Sequence, residues 1–423
     1  QYVKICSLYG AGFYYIPGTD TCLKVGGWVR MQMGYGYNGN MTNGPMVGNS
    51  MDRSTTDFST RNRGYITADA RSQTEYGTLR AYIAVGTSND NAGNSTGAPP
   101  ATAAAFNANR AFIQFAGFTA GRAQSFYDFA NWAAIGYNGG AVFAIAGADT
   151  GDPGWQVLAY TAQFGNGFSA TISVEHPRDV AINQYNAGTL IAASATSGSN
   201  GHKFPDVVAN LRVDQAWGSA QIMGALHDAS ALYYDAARGG HPGDAMGWAV
   251  GAGIRLNAPM IGAGDYFQAQ INYGVGAISY QMGGTSYSVT NGAESGFGNK
   301  RDGIYGTTGD VELTTGWSVG ASFEHNWNRQ WKTSIYGDYA AADYSDAANR
   351  LVCSAAALLT GCDWDFSTWQ VGTRTQWNPV PNLDVGLDVI YTQLNSANTG
   401  TVASSQDQDA WMVHLRIQRN FYP

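Results

Sequence analysis

Residues 23–35 read Leu23-Lys24-Val25-Gly26-Gly27-Trp28-Val29-Arg30-Met31-Gln32-Met33-Gly34-Tyr35. One alternate set is Leu23, Val25, Gly27, Val29, Met31, Met33 and Tyr35; the other is Lys24, Gly26, Trp28, Arg30, Gln32 and Gly34. Successive side chains of a β-strand point to opposite faces, so this period of two, apolar against polar, predicts a strand. The pattern returns in 62–73, where Ile66, Ala68 and Ala70 oppose Arg63, Tyr65, Thr67, Asp69, Arg71 and Gln73. It returns again in 368–377, with Trp369 and Val371 against Gln370 and Arg374, and in 411–421, with Trp411, Val413, Leu415 and Ile417 against Met412, His414, Arg416 and Gln418.

Alternation alone fits two architectures. A soluble sandwich sends its polar face to water and its apolar face to a second sheet. A barrel in a membrane does the reverse. The connections decide between them. Short turns are expected near 75–77, 117–118, 165–167, 217–219, 259–264, 327–330 and 378–382. Between them lie long Gly-, Asn-, Ser- and Thr-rich segments near 38–59, 88–107, 125–153, 178–204, 230–244, 280–310, 343–364 and 396–408. About sixteen antiparallel strands with short turns at one end and long loops at the other are the signature of an outer-membrane barrel. The fold class read from the sequence is therefore all-β, a transmembrane antiparallel barrel of about sixteen strands, with 125–153 as its third long loop. Residues 1–21 precede it, and 22–423 form one barrel domain.

Composition agrees. Only 13 % of the 423 residues are charged, about half the ~25 % usual for soluble domains, while 55 are glycine and 13 % aromatic. Twelve prolines are too few for a disordered chain. Tyr76, Phe118, Phe164, Phe168, Trp217, Tyr266, Trp327, Trp331, Trp377 and Phe421 cluster beside short turns or the C-terminal end. Amphipathic rings favour the headgroup level, so these are expected to form an aromatic belt. Hydrocarbon offers no hydrogen-bond partner, so a spanning sheet cannot keep an edge, and the strand at Leu23 must pair with the one ending near Phe421. Some sixteen strands enclose a water channel rather than a packed core.

A net charge of −8 argues against a nucleic-acid partner. The six histidines are scattered without ligand spacing, and no nucleophile elbow or phosphate loop occurs, so neither an enzyme nor a cofactor is expected. Cys6, Cys22, Cys353 and Cys362 allow three disulfide connectivities; the two sequence-local pairs are the simplest, and free buried thiols are the alternative. Disulfides would place the chain in an oxidising compartment.

Two segments resemble a known family. Residues 2–27, from Tyr2-Val3-Lys4-Ile5-Cys6 through Gly10-Ala11-Gly12-Phe13 to Cys22-Leu23-Lys24-Val25, and residues 115–128, Phe115-Ala116-Gly117-Phe118-Thr119-Ala120-Gly121-Arg122-Ala123-Gln124-Ser125-Phe126-Tyr127-Asp128, look like general porins of alphaproteobacteria, especially the rhizobial group. The resemblance implies a sixteen-stranded barrel in the bacterial outer membrane, usually a homotrimer, in contact with outer-membrane lipid and lipopolysaccharide and admitting small hydrophilic solutes. It also implies an inward loop whose acidic groups face basic groups on the wall. Matched position by position, the acidic candidates are Asp128, Asp149 and Asp152, and the basic ones Arg30, Arg61, Arg63, Arg80, Arg110 and Arg122. That family commonly ends on an aromatic residue; here Tyr422 is followed by Pro423, and Phe421 is read as supplying the ring. A substrate-specific channel is the nearer alternative and a secreted β-sandwich binding protein the more distant one.

Overall fold

A computed structural model describes residues 4–36, 47–50, 57–90, 105–137, 150, 154–178, 181–191, 198–199, 201, 203–234, 239–283, 287–291, 294–400 and 406–421. Sixteen strands form the wall. The first eight are β1 (Cys22–Tyr35), β2 (Phe58–Thr74), β3 (Gly77–Asp90), β4 (Ala105–Phe115), β5 (Phe118–Ala123), β6 (Trp155–Gly165), β7 (Phe168–Glu175) and β8 (Asp206–Gln215). The remaining eight are β9 (Gly218–Asp228), β10 (Met246–Asn257), β11 (Tyr266–Val275), β12 (Thr315–Asn326), β13 (Trp331–Asp343), β14 (Phe366–Trp377), β15 (Leu383–Asn395) and β16 (Gln408–Asn420). Each pairs antiparallel with the next in sequence, and β1 pairs with β16 from Trp28↔Asn420 to Tyr35↔Val413, which closes the barrel. Seven short turns lie at one end. The eight long loops at the other are L1 (36–57), L2 (91–104), L3 (124–154), L4 (176–205), L5 (229–245), L6 (276–314), L7 (344–365) and L8 (396–407).

Burial along the wall is the inverse of a soluble protein's. Val29, Ile66, Ile172, Ile222, Ile271 and Ile335 are more than half exposed, while Gln32, Gln221, Gln270, Ser334, Asp388 and His414 are buried. Apolar side chains on the outside and polar ones within are stable only where the outer solvent is hydrocarbon and the inner one water. Closure then gives every stave a partner on both sides where no lipid group could supply one.

Local chemistry sets the turns and bends. Asn166-Gly167 joins β6 to β7 with φ of 50° and 77°, the left-handed pair that a tight hairpin requires. A Cβ on Gly167 would also lie 1.9 Å from the Asp214 carbonyl oxygen. On β4 the register slips: Ala84 faces Arg110 and Val85 faces Ala108, so Asn109 is bulged out. The Tyr65 hydroxyl donates to both Asn107 Oδ1 and Asn109 Oδ1, at 2.6 and 3.0 Å, and pins that bulge.

Two structured additions flank the wall. Below β1, Tyr14–Tyr15 pairs with Leu23 and Cys22, and a Cys6–Cys22 disulfide packs against Phe13 at the short-turn end. Above β11–β16, loops L4, L6, L7 and L8 share an apolar cluster containing Tyr185, Tyr287, Ile304, Trp364 and Ala397. L7 contributes helices α1 (Asp346–Val352) and α2 (Ala355–Leu359), whose N-terminal NH groups are capped by Ser345 and Ser354. The Cys353–Cys362 bond links them to the loop's return. Both disulfides are thus the sequence-local pairs.

The aromatic belt needs one correction. Nine of the ten rings named for it point outward, but Tyr266 is 7 % exposed and turns into the lumen. The guanidinium of Arg255 lies 3.8 Å from its ring centroid, and Trp132 and Ile135 of L3 share its apolar cluster. Its neighbour Phe267 takes the outward position instead, because its parity in β11 matches that of the outward-facing Ile271.

Candidate functional site: the lumen and its inward loop

L3 leaves β5 and bends into the barrel, and its described stretch 124–137 runs along the inner wall from β7 to β16, with 150 and 154 described at its far end. Polar lumen side chains fasten its backbone in sequence. The Phe126 NH donates to Glu175 Oε1 (3.0 Å), and its carbonyl accepts from Asn210 Nδ2 (2.6 Å). The Ala130 NH donates to Gln270 Oε1 (3.0 Å). The Ile135 carbonyl accepts from Ser334 Oγ (2.7 Å), and the Ala134 carbonyl accepts from Arg374 Nη1 (2.6 Å). At Tyr137 the NH donates to Asp388 Oδ2 and the carbonyl accepts from Arg416 Nη2, both at 2.6 Å. Irregular backbone at membrane depth is tolerated only when it is buried in protein or lines water, and each of these bonds satisfies a group that the loop would otherwise orphan. Apolar contacts add to them: Trp132 and Ile135 are fully buried against Tyr336, Ile390 and Met412.

The entrance to L3 is held by ions. Arg178 of L4 donates to Asp128 Oδ1 at 2.7 Å, with side-chain exposures of 3 % and 0 %. Thr150, at the far end of L3, gives Asp128 Oδ2 both its NH (2.7 Å) and its hydroxyl (2.5 Å). The Arg178 guanidinium stacks on Tyr280 at 4.5 Å. Burial works against the Arg178 charge, but Asp128, Tyr280 and Glu175 together more than offset it and raise its pKa above the usual value. Asp128 was expected to face the channel. It is sealed away instead, because a carboxylate removed from water persists only with a cation and donors around it, and those are supplied here by L4 and Thr150. It anchors the loop. Asp149 and Asp152 lie outside the described residues.

Five of the six expected arginines, Arg30, Arg61, Arg63, Arg80 and Arg110, fall on the inner faces of β1–β4, away from the wall to which residues 124–137 are bonded. Arg122 does not: it pairs with Ala111 and Gln156, on the face that presents Ile113, Phe118 and Leu158 outward, because the parity of β5 turns even positions away from the lumen. The five climb the β1–β4 wall rather than ring it. Arg80 is nearest the short turns, Arg110 lies near mid-strand, and Arg30, Arg63 and Arg61 lie toward the long loops. Arg30 and Arg63 are cross-strand neighbours; Arg30 Nε donates to Gln418 Oε1 (2.6 Å) and Arg63 Nε to Ser88 Oγ (3.2 Å). Arg61 is 5 % exposed, and Arg110 Nη1 donates to the Asn109 carbonyl (2.8 Å). Arg122 is half-buried on β5. Arg80 is paired: it binds Asp69 through Nε and Nη2 at 3.0 and 2.9 Å, and Arg71 shares the same carboxylate, which leaves the group of three one net positive charge.

Rings interleave with this basic wall. Trp28 stacks on Tyr65 at 4.9 Å with Arg30 over it, and Tyr82 stacks on Phe112 at 5.3 Å beside Arg80. They form two separate pairs, not a continuous track, since Tyr65 and Tyr82 are not register neighbours.

The sequence reading did not single out Arg178, Arg374, Arg416, Glu324 or Asp388. Arg374, His414 and Arg416 were visible as polar-face positions, but alternation reports the face and not the loop lying against it. Arg178 carried no signal, because it is in a loop.

With this geometry in hand, comparison with known proteins is informative. A sequence family described as a porin subfamily matches residues 1–414. The chain belongs to that family. It is 37 % identical over 132 residues to a putative outer membrane protein, y4fJ, of Sinorhizobium fredii, covering 30 % of this chain and 34 % of that one. It is 32 % identical over 225 residues to porin Omp2b of Brucella abortus, covering 52 % of this chain and 55 % of that one. The matched segments thus span between about a third and about half of these relatives' length. Among solved structures, the outer membrane channel DcaP of Acinetobacter baumannii superposes with a TM-score of 0.64 at 14 % identity, over 96 % of this chain and 99 % of that one, which supports the fold. The porin fold, the porin family and a bacterial outer-membrane location are thereby established.

Proposed function

We propose that this porin is a water-filled passage for passive diffusion of small hydrophilic solutes and ions, with size set by L3 and charge preference set between L3 and the arginines of β1–β4. The observation that carries this reading is the seating of residues 124–137 of L3: their backbone is bonded to side chains of β7–β16, while arginines line the inner faces of β1–β4. In a narrow lumen with low-dielectric walls, fixed charges act on passing ions at close quarters. Arg30, Arg61, Arg63 and Arg110 would supply the positive side, with Asp149 and Asp152 as acidic candidates on the loop; Arg80 contributes less because it and Arg71 share the Asp69 carboxylate.

Reconstitution in planar bilayers tests this. Stepwise conductance is expected, and Arg63→Ala or Arg110→Ala should shift the reversal potential toward cation preference. Silence from protein whose folding is confirmed by heat-dependent gel mobility would overturn the channel; unchanged selectivity in both variants would overturn the wall assignment. A homotrimer seated in outer-membrane lipid and lipopolysaccharide is proposed on the family resemblance, and native mass spectrometry of the detergent-extracted protein should find three copies. Residues 1–21 are proposed as a periplasmic segment tethered by the Cys6–Cys22 bond.

A further inference from the structure

Beneath L3, at the short-turn end of the lumen, a recess of about 310 Å³ opens between the loop and the wall of β8–β11. Its floor is a single rung across four strands. Asp214 faces Ser219, Ser219 faces Arg255, and Arg255 faces Gln268. Its roof is Phe129 and Asn131 of L3. The roof is seated deliberately: Phe129 lies where a Cβ on Gly253, one inner position above Arg255, would come within 2.2 Å of the ring. The Asn131 carbonyl accepts from Gln268 Nε2 at 3.5 Å.

The charges are arranged unequally. Arg212 and Asp214 bind each other through two bonds, at 2.8 and 2.9 Å, and so cancel. Arg255 sits over the Tyr266 ring at 3.8 Å, is exposed, and has no carboxylate partner among the described residues. A planar guanidinium held by a ring keeps its donor edge pointed and loses little freedom when it takes a carboxylate through two bonds. Around it stand Ser219, Gln268, Asn131 and the outer lone pairs of Asp214, which suit hydroxyl groups. The volume is at the small end of ligand pockets.

We infer that this recess is a binding subsite for a small hydroxylated monocarboxylate of about hexuronate size, with its carboxylate on Arg255 and its hydroxyls on Asp214, Ser219 and Gln268. The inference rests on the channel reading only for the route by which the solute arrives. The recess is lined by residues beside the short turns, so a solute entering from that end reaches it before L3, and one entering from the other end must first pass L3.

Isothermal titration of folded, detergent-solubilised protein with sodium glucuronate measures the site without requiring conduction, and glucose serves as the uncharged comparison. Saturable binding of glucuronate, at least about tenfold tighter than glucose, is expected from one charge-assisted pair. Arg255→Gln should weaken glucuronate about tenfold and leave glucose nearly unchanged. Gly253→Ala should weaken both, because Phe129 is pushed into the recess with all charges intact. In bilayers, glucuronate should interrupt the current more often from the short-turn side, and Arg255→Gln should remove that asymmetry. Absent glucuronate binding by conducting protein, or equal affinity in Arg255→Gln, overturns the subsite while leaving the channel standing. Saturable binding by protein that does not conduct overturns the channel and leaves the subsite.

Discussion

Arg374 shows how much a single lumen residue decides. One nitrogen holds the Ala134 carbonyl of L3 and another pairs with Glu324, which Lys332 also contacts at 3.2 Å. Truncating one partner of a buried ion pair costs about 3–5 kcal/mol, because the other charge is left stranded. Arg374→Ala should therefore lower the heat-denaturation midpoint and make the open-channel current noisier as L3 loosens; an unchanged current would contradict the strap. Asp365, at the base of L7, gives a second prediction. Burial raises its pKa to about 6; the Tyr344 NH, which donates to its carboxyl at 2.5 Å, opposes that rise, and the like charges of Asp363 and Asp343 reinforce it. A carboxyl that binds its proton more tightly when folded contributes stability below its ordinary value near 3.9, and that contribution is lost as pH rises to about 6. L7 should consequently resist protease better at pH 5 than at pH 7. Asp365→Asn should abolish the difference, and a persisting difference would assign it to another group.

At the scale of elements, the hairpins and loops are separable in stability. Gly167→Ala forces a left-handed residue and a collision with the Asp214 carbonyl, so the yield of heat-resistant folded barrel should fall sharply. The Cys353–Cys362 bond acts elsewhere. It closes a separation of nine residues within L7, a constraint worth about 2–3 kcal/mol on loop-entropy grounds. No stave depends on it. Replacing both cysteines by serine should speed proteolysis of L7 and leave the barrel midpoint in place; a drop in that midpoint would show that the cap over β11–β16 supports the wall.

At the scale of the molecule, the outward apolar surface makes a directional prediction. Ile271 sits mid-strand on β11, pointing outward and 52 % exposed. An arginine there should cost about 2–4 kcal/mol in lipid, read as a lower unfolding midpoint in bilayers; a neutral effect would mean that this face meets water. The strand count, the seven turns and the closure of β1 on β16 were legible in residues such as Val29, Ile66 and Ile417 against Arg30, Thr67 and Gln418. A period of two needs only near neighbours, and loop length is written in the chain itself. The Asn-Gly turn at 166–167 was equally local. Asp128 and Tyr266 were placed on the wrong side, each for a reason that lies far off in sequence: Arg178 is 50 residues from Asp128, and the L3 side chains against Tyr266 lie more than 130 residues before it. The chain by itself determined that it becomes a closed β-barrel with arginines on the inner faces of its early strands, because alternation, turn chemistry and the intolerance of lipid for unpaired backbone are satisfied locally. Only the tertiary structure decided where residues 124–137 of L3 seat against the wall and which charges they consume, because those depend on side chains that meet across the barrel after the ring has closed.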